Sequence, residues 1–383
     1  MKVLFFNYEY PPLGGGAANA TAYILEEYSK IPDLSVDLIT SSIDNEYHLE
    51  KVGNNISIHK LPIGKNKNNL HYQSQKELLT YAWKAYFFAK KLIKKNKYDL
   101  SHSFFTVPCG FVSFLIKKEY NIPYVVSLRG SDVPGYSDRF VFLYKIIKPL
   151  IKLIWKNSFA VIANSEGLKE LAQKTNPKQV VGIIYNGIDI ENFKPKPEAR
   201  PVNNFIITLG ASRVTERKGI DYLIKALANL VPQYSQLLLR VMGEGDARES
   251  LEKLAKDLEL EKNIEFIGRI PRENTAPYYQ EASIFVLPSF NEGMSNAMLE
   301  ALASGLPLIA TNTGGTSELV EEGVNGFIVK MKDSQDLADK IEILMKDEDL
   351  RKRMGENSRK KAEDMSWEKV AEEYTKLYYK TKA

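Results

Sequence analysis

Two cations five positions apart, Arg213 and Lys218, and two glutamates eight positions apart, Glu292 and Glu300, are the side chains best suited to chemistry in this sequence. The cations lie in Gly210-Ala211-Ser212-Arg213-Val214-Thr215-Glu216-Arg217-Lys218-Gly219, between an apolar run and an amphipathic one. Cations and flanking glycines at a strand exit suit a polyphosphate, because arginine offers a planar donor fork and lysine a mobile point charge. Alone, the segment reads equally as a solvated basic loop. The glutamates lie in Ser289-Phe290-Asn291-Glu292-Gly293-Met294-Ser295-Asn296-Ala297-Met298-Leu299-Glu300-Ala301. Gly293 and Ser295 suit the cap of a helix starting near Ser295. The first free N–H groups of such a helix form an anion site. Glu292 would precede the helix and Glu300 would sit about two turns inside it. They would therefore address separate parts of one ligand, Glu300 a ribose diol and Glu292 whatever follows the phosphates. The plainer reading is two surface glutamates, one favourable to the helix dipole.

Two further loops have glycines that allow close backbone approach. One is Pro11-Pro12-Leu13-Gly14-Gly15-Gly16-Ala17, the other Thr311-Asn312-Thr313-Gly314-Gly315-Thr316-Ser317-Glu318. Neither is a dinucleotide fingerprint. Gly243-Glu244-Gly245 has only the first two glycines of one, with Arg248 in the third place.

These loops need strands and helices to hold them. Lys2–Phe6, Val36–Ile39, Ile56–Lys60, Tyr124–Ser127 and Ala160–Ala163 are short apolar runs, as expected of buried parallel strands. Phe205–Leu209, Leu237–Met242, Ile264–Ile267, Ile284–Leu287 and Leu306–Ala310 repeat the pattern. Amphipathic stretches alternate with them, among them Ala17–Ser29, Lys76–Lys95, Ile220–Leu230 and Glu249–Leu258. Strand-helix alternation at this spacing predicts an α/β chain of doubly wound, Rossmann-like domains with parallel sheets. Two such domains would leave a cleft at the carboxyl ends of their strands.

The length of 383 residues fits about two domains. With 44% apolar and 26% charged residues, the chain is neither disordered nor of low complexity. The net charge of +4 is too even for nucleic-acid binding as the main task. It conceals an asymmetry. Residues 1–200 carry 27 Lys+Arg against 18 Asp+Glu, a balance of +9, and residues 201–383 carry 25 against 30, a balance of −5. A Pro-rich stretch, Phe193–Pro201, marks the expected boundary. The one cysteine, Cys109, excludes a disulfide framework and reads as a small buried filler. No run reaches the ~18 uncharged apolar residues of a spanning helix, so a cytoplasmic protein is expected.

Taken in order, the loops resemble the retaining glycosyltransferases of family 4, the glycosyl transferases of group 1, which have the GT-B fold. Glu292 and Glu300 match the family's E-x7-E motif, set in Pro288-Ser289-Phe290-Asn291-Glu292-Gly293. Around it stand Arg213…Lys218-Gly219, Phe266-Ile267-Gly268, Gly314-Gly315-Thr316-Ser317-Glu318 and Asn325-Gly326. The first half adds Pro11-Pro12…Gly14-Gly15 and Asn186-Gly187-Ile188-Asp189.

The resemblance implies two Rossmann-like domains facing across a cleft. Residues 1–195, with a returning C-terminal helix at 366–383, would bind the acceptor, and residues 196–365 the sugar nucleotide. Arg213 and Lys218 would grip the diphosphate and Glu292 the donor sugar, making these three the catalytic set. Glu300 would bind the ribose, and backbone at Gly268 and Ile270 the base. Gly293, Met294, Ser295 and Asn296 would complete the phosphate cradle, with Gly15 and Gly16 closing over it. One segment departs from the family pattern. Ser127-Leu128-Arg129-Gly130-Ser131-Asp132 puts arginine where many relatives carry histidine. Arg129 would contact sugar hydroxyls or phosphate, and Asp132 the acceptor.

Neither cofactor nor metal is expected. Asp347-Glu348-Asp349 lies in a Lys/Asp/Glu-rich helical tail, where a solvated charge cluster is the simpler reading, and the four histidines lack metal-ligand spacing. The expected partners are a sugar nucleotide and a glycan or lipid-linked acceptor, with no nucleic acid. Residues 139–156 add a possible peripheral contact with an anionic membrane, because Lys145, Lys148, Lys152 and Lys156 form one stripe among aromatic and aliphatic residues. The same pattern also reads as core with solvated lysines. Two alternatives compete with transfer. A nucleotide-sugar epimerase of the same fold would need acid/base carboxylates and histidines that the first half scarcely offers. A non-catalytic sugar-nucleotide or glycan-binding module would not need the intact Arg213, Lys218, Glu292 and Glu300.

Overall fold

The computed structural model describes residues 1–65, 70, 73–136, 141–201, 204–210, 213–271, 274–290, 292 and 294–382. The chain divides into two compact units, Met1–Asn186 with Trp367–Ala383, and Gly187–Ser366.

The first unit runs β1 (Lys2–Phe6), α1 (Gly16–Ser29), β2 (Ser35–Ser41), β3 (His48–Val52), β4 (Ile56–Leu61), α2 (Gln75–Ile93) and β5 (Leu100–Phe104). It continues through α3 (Phe111–Tyr120), β6 (Tyr124–Ser127), α4 (Val141–Asn157), β7 (Ala160–Ala163), α5 (Glu166–Thr175) and β8 (Gly182–Ile183). The sheet order is β3-β4-β2-β1-β5-β6-β7-β8. All pairings are parallel except β3 with β4, which makes β3 an antiparallel edge. The order reverses between β1 and β5, which is the switch point where open α/β sheets place ligands.

β5 was not among the expected strands. Its sequence, Leu-Ser-His-Ser-Phe, is wholly buried yet polar at three of five positions. Two of these are met from neighbouring elements, His102 by Ser127 and a tyrosine near the C-terminus and Ser103 by Ser113, while the buried Ser101 hydroxyl has no hydrogen-bond partner among the described residues. Binary patterning does not register such a strand, because its solvation comes from partners remote in sequence. α2 starts as expected, with Ser74 and Glu77 forming a reciprocal capping box.

The second unit runs β9 (Phe205–Leu209), α6 (Ile220–Leu230), β10 (Leu237–Met242), α7 (Arg248–Asp257), β11 (Ile264–Gly268), α8 (Ala276–Gln280) and β12 (Ile284–Leu287). Then come α9 (Asn296–Ala303), β13 (Leu308–Thr311), α10 (Thr316–Leu319), β14 (Gly326–Val329), α11 (Ser334–Lys346) and α12 (Glu348–Glu363). Its sheet is parallel throughout, in the order β11-β10-β9-β12-β13-β14. That is the doubly wound order 3-2-1-4-5-6, with its switch point between β9 and β12. Both units are thus Rossmann-like, as the strand-helix alternation predicts. The Pro-rich stretch lies within this unit, where Pro195 packs close to Gly305. Asp347 caps α12 by accepting from the Leu350 N–H at 2.8 Å, and Glu348 and Asp349 occupy that helix's first turn.

The last helix, α13 (Trp367–Tyr379), returns to the first unit and packs on α1. Trp367, Val370, Ala371, Tyr374 and Tyr378 join the core formed by β1, β2, α1 and α2. The Trp367 ring stacks on Tyr23 at 5.3 Å.

Candidate functional site

The two motif-bearing loops of the second unit leave adjacent strands on either side of its switch point. The loop after β9 closes in a single 3-10 turn, Glu216–Lys218. Gly219 ends it with φ +63°, in the left-handed region, and caps α6. A Cβ on Gly219 would run into the carbonyl of Pro288, so glycine also permits the close approach of the two loops. A backbone hydrogen bond joins them, the Phe290 N–H donating to Arg217 O at 2.8 Å.

Across this seam Lys218 Nζ pairs with Glu292 Oε1. Both side chains are about one-sixth exposed, at 17% and 15%. Ser289 Oγ donates to the same carboxylate oxygen at 2.9 Å. The Thr311 hydroxyl in turn donates to Ser289 O, tying in the loop after β13. The structure therefore brings Lys218 and Glu292 into direct contact, at the point where the topology puts a ligand. Arg213 lies exposed at the start of the same loop.

Ser295 caps α9, accepting from the Met298 N–H at 3.4 Å. The helix begins at Asn296, so the N–H groups of its first turn are the dipole's positive end. Met294 is buried. Gly293 and Asn291 lie outside the described residues. Glu300 is buried at 4% exposure inside α9, where it accepts from the Tyr279 hydroxyl at 2.8 Å. Tyr279, on α8, escaped the sequence reading, since no spacing rule links it to Glu300. Gly210 lies directly beneath it, and a Cβ there would collide with the Tyr279 hydroxyl and Ala297. Gly268 ends β11 with φ +82°, and Ile270 follows it, partly exposed.

In the first unit Gly15 caps α1 and Gly16 is its first residue. Asp132 is turned inward. Its Oδ2 accepts from the Thr106 N–H at 2.8 Å and the Thr106 hydroxyl at 3.0 Å, and its Oδ1 from the Arg129 N–H at 2.9 Å. Burial raises its pKa, against the lowering effect of those hydrogen bonds. Arg129 leaves the end of β6 and is held by Asn186 and Tyr374. Cys109 is buried, and burial pushes its thiol up, out of the reactive range.

α4 divides its apolar side chains. Tyr144, Ile151, Ile154 and Trp155 pack in a core of the first unit. Ile146 and Leu153 are exposed, at 63% and 44%. Arg139 and Phe140 lie outside the described residues. Among the described residues, no helix is long and apolar enough to cross a membrane.

Two family profiles match the chain, Glycosyltransferase Family 4 over residues 14–192 and Glycosyl transferases group 1 over residues 189–361. An uncharacterized glycosyltransferase of Methanocaldococcus jannaschii is 29% identical over 99% of this chain and 98% of its own. The D-inositol 3-phosphate glycosyltransferase of Corynebacterium urealyticum is 30% identical over 73% of this chain and 71% of its own. Among solved structures, the Anabaena protein HepE in complex with UDP is similar with a TM-score of 0.75 at 20% identity, covering 99% of this chain and all of that one. With loops, fold and relatives in agreement, the chain belongs to the family 4 glycosyltransferases and has the GT-B fold.

Proposed function

We propose that the second unit holds a nucleoside-diphosphate sugar on the loops after β9 and β12, and that the enzyme transfers the sugar with retention to a hydroxyl of a glycan or lipid-linked acceptor. The observation that carries this reading is the Lys218–Glu292 pair at the switch point, beside the N-terminus of α9. Lys218 and Arg213 meet the diphosphate, and the amides of residues 293–296 complete its cradle. Glu292 orients the donor sugar beside it. Glu300, fixed by Tyr279, accepts from the ribose diol, and Gly268 and Ile270 present backbone to the base. In the first unit, Gly15 and Gly16 offer backbone amides to the phosphate and Arg129 contacts sugar hydroxyls or phosphate, while the inward-turned Asp132 holds the Arg129 and Thr106 backbone instead of meeting the acceptor.

The bond that breaks joins the anomeric carbon to the β-phosphate oxygen. The acceptor oxygen forms its new bond on the same face, and its proton passes to the departing phosphate oxygen. Negative charge grows on the diphosphate as the bond breaks. Lys218, seated on Glu292, and the helix amides stand in place before that charge grows, and Arg213 adds its own charge; such stabilisation is usually the largest catalytic contribution. The cations do this work without a metal, and no carboxylate nucleophile is needed.

A thermal-shift series with UDP, GDP and ADP, followed by nucleoside-diphosphate release from their glucose conjugates, tests the donor site. One nucleotide is expected to stabilise the chain, by about 2.7 kcal/mol at a concentration one hundred times its Kd. The matching sugar nucleotide is expected to release its diphosphate. No stabilisation by any of the three at millimolar concentration would sink the proposal.

Peripheral membrane contact through α4 belongs to the same proposal. The exposed Ile146, Pro149, Leu153 and Lys156 stand beside the half-buried Lys148 and Lys152, and the helix has no acidic residue. Such a face suits an anionic lipid surface. Co-sedimentation with phosphatidylglycerol vesicles is expected at low salt and not with neutral vesicles. Binding unaffected by an Ile146→Glu, Leu153→Glu double substitution would remove α4 from this role.

A further inference from the structure

Arg129 is gripped from several sides. Its Nη1 donates to Asn186 Oδ1 at 2.9 Å, and its Nη2 to the Tyr374 hydroxyl at 3.1 Å. The guanidinium carbon lies 3.5 Å from the Phe104 ring centroid, a close cation–π contact. Asp132 fixes the backbone N–H beneath it.

The Tyr374 contact ends a longer buried chain. On α1, the Tyr28 hydroxyl donates to the Tyr378 hydroxyl at 2.9 Å. The Tyr378 proton is then free to go to His102 Nδ1, 2.6 Å away. That leaves the His102 Nε2–H to donate to Ser127 Oγ at 2.8 Å. Burial holds His102 neutral, and this tautomer needs a neutral ring. Ser127 Oγ and the Tyr374 hydroxyl are 2.9 Å apart and share a hydrogen. Arginine can only donate, so Tyr374 accepts from it. Tyr28, Tyr378, His102, Ser127 and Tyr374 thus form one connected set, and its outlet is a guanidinium at the carboxyl end of β6.

We propose that Tyr374 is a positioning residue, and that α13 sets the guanidinium of Arg129 for substrate through the Tyr374 hydroxyl. The proposal rests on the reading of Arg129 as a substrate contact. A long side chain held in its working rotamer loses less freedom on binding, and small displacements of such a group are costly to catalysis.

The test is a double-mutant cycle in the full chain with Tyr374→Phe, Arg129→Ala and the two together. Diphosphate release is followed with whichever of UDP-glucose, GDP-glucose or ADP-glucose is turned over fastest, and thermal unfolding is measured alongside. Tyr374→Phe keeps the ring and removes only the hydroxyl. It is expected to lower kcat/KM about tenfold, the scale of one hydrogen bond to a charged group. Arg129→Ala is expected to lower it further, and adding Tyr374→Phe to Arg129→Ala should then change kcat/KM no more. Any fall in Tm caused by losing the hydroxyl from the buried chain should persist in both backgrounds, which separates it from the effect on activity. An equal loss of activity from Tyr374→Phe with and without Arg129 would overturn the proposal, as would no loss in the Arg129 background. Full activity in Arg129→Ala alone would show instead that Arg129 meets no substrate, and the proposal would fall with that reading.

Discussion

Replacing Lys218 by alanine is expected to lower kcat/KM by about 10²–10³-fold, or ~2.7–4 kcal/mol of barrier, the size of losing one preorganised donor to a developing anion. The loop geometry is the reason for expecting so large an effect. Lys218 sits at the end of a single tight turn whose exit, Gly219, is wedged against Pro288. Its ammonium is therefore delivered to one place, beside Glu292 and near the start of α9. Alanine removes the charge and also leaves the Glu292 carboxylate with Ser289 as its remaining described hydrogen-bond donor. An unneutralised carboxylate beside a diphosphate repels it, so binding and chemistry should both suffer. The fold should persist with a lower melting temperature, because a pair only about one-sixth exposed leaves a largely buried, un-neutralised carboxylate when one partner is removed. Steady-state kinetics with the active sugar nucleotide and a thermal melt decide the matter. Activity within twofold of the parent would place the phosphates elsewhere.

Removing α13 by ending the chain after Ser366 is expected to abolish the folded first unit rather than trim it. Trp367, Val370, Ala371, Tyr374 and Tyr378 are each at most 5% exposed and belong to that unit's core. At ~1.5–3 kcal/mol for each large apolar side chain, their loss rivals the whole stability of an ordinary domain. The polar side is worse. Tyr28 loses the acceptor of its hydroxyl proton, His102 loses the partner at Nδ1, and Arg129 loses Tyr374. Buried polar groups left without partners each cost about 1–3 kcal/mol more. Expression of the shortened chain should give insoluble material, or a protein lacking the first unit's cooperative melt. A soluble chain with an unchanged melting profile would contradict this account.

Much of the fold is legible because apolar strands advertise themselves. β1, β6, β7, β9, β10 and β12 lie where short apolar runs put them. β5 is illegible for a physical reason, since Ser103 and His102 are solvated by Ser113, Ser127 and Tyr378. β3, His-Leu-Glu-Lys-Val, is an edge strand exposed at its three central positions, and nothing in its composition separates it from a loop. At the site, spacing finds Lys218, which precedes the left-handed Gly219, and Glu292, which precedes the Ser295-capped helix. It misses Tyr279 and Tyr374, whose roles come from being brought alongside Glu300 and Arg129 by chain distant in sequence. The basic-aromatic pattern of α4 does not tell which apolar residues face inward. Its core-facing set, Tyr144, Ile151, Ile154 and Trp155, lies on the same helix as the exposed Ile146 and Leu153.

The return of α13 bears on how such proteins can be recombined. Residues 367–383 follow the second unit in the gene but share their buried hydrogen bonds with β5, β6 and α1. A chimera spliced once, near the middle of the chain, would pair the tyrosines of one parent with the histidine and serine of another. Exchange of the second unit as a module needs two junctions, at Asn186/Gly187 and at Ser366/Trp367. Tyr374, Tyr378, His102, Ser127 and Arg129 must then travel together, so a stretch at the far end of the gene is inherited with its beginning.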